Sequence, residues 1–247
     1  MVTVPILPSE IADRVPTRPG FVRVGIDGVD GAGKTTYADA LAGRLRDLGR
    51  PVVRISADDF LNPRAVRYRQ GRHSPVGFFE DSYDHPRLLA DAIEPCGPDG
   101  DGRHRRACHD LVADRGVAPP LCTAPPDAVL VLDGLFLHRD ELRRQWDFSV
   151  FLEVPFSVSV ARMARRDGSH PDPTHPSLQR YVQGQQLYFD RCRPWSRATV
   201  VVDNSRHPGD PERRRLALVA AITAAVGSGG LPGERETRCL AATTTGR

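Results

Sequence analysis

Lysine is nearly missing from this chain: of its 34 basic residues, 33 are arginine and only Lys34 is lysine. A composition that skewed writes its surface cations as Arg, so a position that keeps Lys marks a place where Arg does not fit. The five cysteines, Cys96, Cys108, Cys122, Cys192 and Cys239, form no Cys-x-x-Cys pair. Their odd number and wide spacing argue against a zinc site, a thioredoxin-like motif or a disulfide framework, and suit reduced thiols. Long apolar runs are also lacking. The longest helical one, Leu216 to Val226, has 11 residues, too short to span a bilayer, and no secretory signal pattern precedes the first strand. No contiguous basic block accompanies the small net charge of +3, which argues against a nucleic-acid partner. These absences predict a cytoplasmic protein with neither membrane nor nucleic acid as partner, and leave a homo-oligomer open.

What is present suits one domain. At 247 residues, 40% of them apolar and 26% charged, the chain is long enough for a single large core. Residues 1–20 read as a proline-rich leader with a short helix at Ser9–Arg14. Phe21–Asp27 reads as a strand that ends in a glycine-rich turn. Leu41, Leu45 and Leu48 then fall on one helix face, with Gly49 as its stop, and Pro51–Ile55 is a second strand. Strand, helix, strand over this span is a βαβ unit and implies a parallel sheet. Further strands are expected at Val129–Leu132, Phe148–Val154 and Thr199–Val202, and helices at Arg87–Ile93, Ser157–Asp167, Leu178–Asp190 and Leu216–Val226. Ser56–Pro86 reads as irregular, about 96–126 as a hairpin insertion, about 165–180 as a lid, and 227–247 as a disordered tail. A single domain over 21–226 follows.

The strongest motif is Gly28-Val29-Asp30-Gly31-Ala32-Gly33-Lys34-Thr35, with Thr36 beyond it. It matches G-x-x-x-x-G-K-[ST] between a strand and a helix, the context a phosphate loop requires. Glycines let backbone N–H groups wrap an anion, and the helix N-terminus adds its positive dipole end. Lys34 then neutralises the β- and γ-phosphates of ATP while the Thr35 hydroxyl ligates Mg²⁺. Asp133 follows the apolar run Val129–Leu132 at the carboxyl end of a strand, where parallel sheets bind ligands, and is placed to hold a metal-bound water. The expected fold is therefore α/β: a three-layer P-loop NTPase fold with a five-stranded parallel core sheet and a small hairpin insertion.

The solitary lysine narrows the class. A GTPase reads guanine through Asn-Lys-x-Asp, which needs a second lysine. Eukaryotic-type protein kinases carry their lysine on a strand beyond the glycine loop. An LSGGQ-like signature of ATP-binding cassette proteins is missing. A small-molecule kinase or another small P-loop ATPase remains. A kinase that phosphorylates an alcohol needs a carboxylate beside the phosphate site, and Asp58-Asp59 follows the second strand at that edge.

The order and spacing of GIDGVDGAGKTT (25–36), SADDF (56–60), YDHP (83–86), HDLV (109–112), VLDGLF (131–136), RMARRD (162–167) and VVDN (201–204) resemble the uridine kinase family of nucleoside kinases, in the group that also holds phosphoribulokinase. The resemblance implies Asp58 as catalytic base, with Phe60, Tyr83, Asp84 and His109 around the acceptor and Asp84 on its ribose hydroxyls. It implies Arg162 and Arg166 as lid arginines on the phosphates, and Asn204 on the adenine side. The acceptor implied is the 5′-hydroxyl of a nucleoside such as uridine or cytidine. The alternatives are another hydroxyl metabolite, such as a vitamin precursor or nucleoside-like natural product, or an ATPase or nucleotide sensor with no acceptor. The chain departs from the family pattern in having Asp133 where Glu is usual and a Pro/His-rich segment at 168–176 in place of the Glu/Arg/Gly-rich lid.

Overall fold

A computed structural model describes residues 7–205. The helix expected at Leu216–Val226 and the tail at 227–247 lie outside the described residues. The helices are α1 (Pro8–Ala12), α2 (Lys34–Asp47), α3 (Arg64–Arg67), α4 (Pro75–Asp81), α5 (His85–Leu88), α6 (Phe156–Asp167), α7 (Gln179–Cys192) and α8 (Pro194–Arg197). The strands are β1 (Val22–Gly28), β2 (Val52–Ser56), four two-residue pieces β3 (Arg103–His104), β4 (His109–Asp110), β5 (Arg115–Gly116) and β6 (Cys122–Thr123), then β7 (Val129–Gly134), β8 (Phe148–Glu153) and β9 (Val200–Asp203).

Five of these strands form one sheet in the order β2-β7-β1-β8-β9, and every pairing is parallel. Helices cover both faces, which makes this the three-layer P-loop NTPase architecture. Strand alternation divides the core into two layers. Leu130 and Leu132 join Val53 and Ile55 on one face, while Val129 and Val131 join Val22, Val24 and Ile26 on the other, under Leu41 and Leu45 of α2. Burial of each such side chain contributes about 1.5–3 kcal/mol. Because both faces are covered, β1 and β7 are buried throughout their length, hence their unbroken apolar runs.

Register carries the fold's consequence for function. Ile26 pairs with Asp133, and Ser56 pairs with the same Asp133. The carboxyl ends of β1, β7 and β2 therefore finish side by side. The glycine loop, Asp133 and the Asp58-Asp59 turn are delivered to one sheet edge, where parallel sheets bind ligands.

Two stretches differ from the sequence expectation. Residues 56–86 are not irregular: they hold a 3₁₀ turn at Ala57–Phe60 and the short helices α3 and α4. Helix α4 starts at Pro75, with the Ser74 hydroxyl accepting from the Gly77 amide at 3.0 Å. It buries Phe78 and Phe79, an apolar pair too short to show helical periodicity. The helix expected from Arg87 begins earlier, at His85, capped by the Asp84 carboxylate on the Arg87 amide at 3.1 Å. It then widens into a π turn over Leu89–Ile93. Within residues 96–126, β3 pairs with β6 and β4 with β5, both antiparallel. The ribbon docks beside the Asp58-Asp59 turn through the Cys108 amide on the Asp59 carbonyl at 3.0 Å.

Candidate active site

The glycine loop is built on positive φ. Gly31 and Gly33 have φ of 72° and 86°, a region that side chains disfavour. At Gly31 a Cβ would also stand 2.4 Å from the Ser159 carbonyl oxygen in α6. Gly31→Ala must therefore push α6 off the loop as well as strain the turn. It is expected to cost about 1–3 kcal/mol of stability, read as a lowered denaturation midpoint; an unchanged midpoint would show that the contact yields freely.

Among the described residues, the amides of Gly31 and Gly33 meet no protein acceptor, as an anion cradle requires. Lys34 folds back over the loop, its Nζ donating to the Val29 carbonyl at 3.0 Å. The Thr35 hydroxyl donates to Asp133 Oδ2 at 2.7 Å. Arg54 Nη1, which donates to the Ile55 carbonyl, also forms an ion pair with Asp133 Oδ1 at 2.7 Å, although that buried oxygen accepts no well-aligned hydrogen bond. A hydroxyl and an under-satisfied carboxylate beside the cradle are a donor set suited to Mg²⁺ and its water shell. The residues present thus fit both a triphosphate and its metal.

The loop is held from outside by residues the sequence analysis missed. Gln185 of α7 accepts from the Asp30 amide at 2.6 Å. Asp27, fully buried at the end of β1, accepts from the Gly28 amide at 2.7 Å. Its other oxygen meets His138 Nδ1 at 2.7 Å and the Tyr188 hydroxyl at 2.5 Å. Tyr188 is buried beside this carboxylate, and both facts push its phenol well above the usual value. One signal was available: a carboxylate inside the apolar run 22–28 needs partners. Its partners lie 111 and 161 residues away, beyond local pattern.

Asp58 stands where the loop meets a cleft. It faces solvent there, yet the cleft walls exclude much of its hydration, and this desolvation raises its pKa. The Tyr83 hydroxyl donates to Oδ1 at 2.8 Å, and this bond and the Lys34 charge pull the pKa back down. Asp59 is also raised, by desolvation and then by the Asp58 charge. Tyr83 serves packing and site together: it is 5% exposed, with its ring edge-on to Phe136.

Near the loop the cleft is lined by Asp30, Asp58, Tyr83 and Leu135. Its other end is formed by Arg67, Tyr68, Phe78, Arg180 and Tyr181, none of them singled out from sequence. Three residues expected around the acceptor do not line it. Phe60 is fully buried in the core. Asp84 caps α5, and His109 is buried with its Nε2 3.2 Å from Asp114.

The expected lid and adenine-side residues are tied to one another. Arg162 donates to the carbonyls of Asn204 and Ser205 at 2.8 and 2.9 Å. Asn204 Nδ2 donates to the Ala32 carbonyl of the loop at 2.7 Å. Arg166 is exposed and paired with Asp167 at 2.8 Å. That bond raises its pKa, and the charges of Asp30 and Asp58 add to the effect.

No protein-family profile matches the chain. It is 29% identical over 203 residues to a uridine kinase of Shewanella pealeana, covering 70% of this chain and 87% of that one. It is 31% identical over 172 residues to a thymidylate kinase of Xanthomonas euvesicatoria pv. vesicatoria, covering 66% and 70%. The solved structure of a possible uridine kinase from Bacillus stearothermophilus superposes with a TM-score of 0.63 at 24% identity, covering 79% of this chain and 97% of the other. No helix among the described residues is long and apolar enough to cross a membrane.

Proposed function

The chain belongs to the uridine kinase-like family of P-loop kinases, and from that premise we propose that it transfers the γ-phosphate of ATP to a hydroxyl, the 5′-hydroxyl of a nucleoside such as uridine or cytidine. Its relatives are named for different acceptors, uridine and thymidylate, so kinase activity is common ground and the acceptor belongs to the proposal. The observation that carries the reading is Asp58: a carboxylate on the cleft wall, held by Tyr83 and acted on by the Lys34 charge. A nucleotide sensor without an acceptor has no use for it.

MgATP supplies the phosphoryl group when bound, and phosphoryl transfer asks the protein mainly for alignment and charge. Gly31 and Gly33 present amides to the phosphate oxygens, and Lys34 and Arg166 neutralise charge on the migrating group. Thr35 and Asp133 would hold Mg²⁺ and its water, which would offset phosphate charge. Asp58 accepts the acceptor's hydroxyl proton, and Tyr83 keeps the receiving carboxylate aligned and ionised. Gln185 and the Asp27–His138–Tyr188 cluster keep the loop amides aimed. A panel of nucleosides offered with γ-labelled ATP tests the proposal: label should appear on a nucleoside, whereas ATP hydrolysis with no labelled acceptor would favour the sensor.

The base has a pH signature. It works only as carboxylate, so the acid limb of kcat/KM should lie above the ordinary aspartate range. Tyr83→Phe removes the hydrogen bond that lowers the pKa, so Asp58 rises further and the limb should move to higher pH. A limb that stays still, or moves to lower pH, would detach Asp58 from the rate.

A further inference from the structure

The cleft is electrically two-ended. The charges that act on Asp58 are those of Lys34, Asp30 and Asp133. Those on Arg180 come from Arg67 and Asp81. The end away from the phosphate loop is cationic: the guanidinium carbons of Arg180, Arg67 and Arg72 lie 4.9, 5.5 and 5.9 Å from the Tyr68 ring centroid.

The two arginines that line this end differ in what they do. Arg180 is 6% exposed, and its hydrogen bonds go to backbone carbonyls of the facing segment, those of Arg67, Gly71, Arg72 and Ser74, at 3.0–3.4 Å. It clamps the wall. Arg67 is not so occupied. Its side chain is 13% exposed, its Nη2 stands 3.9 Å from Asp114, and its Nε is buried without a hydrogen-bond partner. Asp114 is meanwhile engaged by the Arg64 amide at 2.9 Å and by His109. Aromatic faces compensate a guanidinium only in part. A partly buried guanidinium whose ion pair is as long as 3.9 Å is compensated only in part, and its planar fork matches carboxylate and phosphate.

We propose that the acceptor is a hydroxyl compound with an anionic group, a carboxylate or a phosphate, on the end away from the reacting hydroxyl, and that Arg67 pairs with that group. This rests on the reading of the cleft as the acceptor site, and it narrows the acceptor from a plain nucleoside to an acidic, nucleoside-like one. Tyr68 and Tyr181 offer ring surface to a heterocycle between the two ends. Asp58 takes the proton at one end and Arg67 reads the charge at the other.

The test uses the full chain saturated with MgADP, so that added anions cannot enter the phosphate loop. Uridine, orotidine and uridine 3′-monophosphate are then titrated by calorimetry. All three keep a free 5′-hydroxyl; the second adds a carboxylate and the third a phosphate. At least one acid should bind about tenfold or more tighter than uridine, and which one does so identifies the anionic group. Arg67→Gln should erase that preference with MgADP affinity retained, and Arg67→Lys should keep part of it through charge alone. Uridine binding as tightly as both acids, no binding of any of the three, or a preference that survives Arg67→Gln would overturn the proposal. Turnover separates this from the kinase reading. A protein that phosphorylates uridine as well as it does the acids refutes the anionic acceptor and leaves the kinase standing. One that binds an acid through Arg67 but phosphorylates nothing does the reverse.

Discussion

Asp58→Asn should lower phosphoryl transfer by about 10²–10⁴-fold, the usual worth of a general base, while MgATP affinity stays close to that of the parent. The substitution is nearly isosteric. Its amide oxygen can still accept from the Tyr83 hydroxyl, which lies 2.8 Å from Oδ1, so the local geometry has a partner to keep. What is lost is basicity. Stability should not suffer, because desolvation already disfavours the charged form here and a neutral amide escapes that penalty. The neighbour is the control: Asp59 is exposed, its pKa raised by desolvation and then by the Asp58 charge, but it does not line the cleft. Asp59→Asn should therefore retain most activity. If the two variants exchange these behaviours, the base has been assigned to the wrong carboxylate.

Lys34→Arg is the second large effect. Charge is conserved, so an account based on net charge predicts little change. The structure predicts a loss of about 10²–10³-fold in kcat, because Nζ sits inside the loop, 3.0 Å from the Val29 carbonyl. The surrounding turn is closed: even one added carbon at Gly31 meets the Ser159 carbonyl at 2.4 Å. A planar guanidinium is wider than an ammonium and aims its donors differently. Loss of rate should exceed loss of MgATP affinity, since the long-range attraction between cation and phosphates persists. An arginine variant with near-parental kcat would remove the reason offered for the chain's one lysine.

Sequence made the nucleotide side of this site legible and hid most of the acceptor side. The phosphate loop, Asp133 and Asp58 each follow a strand whose apolar run announces it, and the parallel order brings those strand ends together. That signal is local, and register completes it. The far end of the cleft is assembled from residues 67–82 and 180–181, which meet only after folding; Arg180 reaches carbonyls up to 113 residues away. The stripe Tyr181, Gln185 and Tyr188, at helical spacing on α7, was the one available hint. Of the residues placed around the acceptor by resemblance alone, Tyr83 lines the cleft while Phe60, Asp84 and His109 do not. Phe60 follows the aspartates in the motif, but the 3₁₀ turn that exposes Asp58 turns Phe60 into the core. Asp84 caps a helix that sequence started two residues too late, its Oδ1 accepting from the Arg87 amide.

The central claim is phosphoryl transfer to a hydroxyl with Asp58 as base. The most direct measurement incubates the parent chain and Asp58→Asn with γ-labelled MgATP and a set of neutral and acidic nucleosides, and follows the label. The account predicts labelled nucleoside phosphate from the parent and almost none from the variant, with MgATP affinity matched in the two. Equal labelling by both proteins, or label released only to water by the parent, would contradict it.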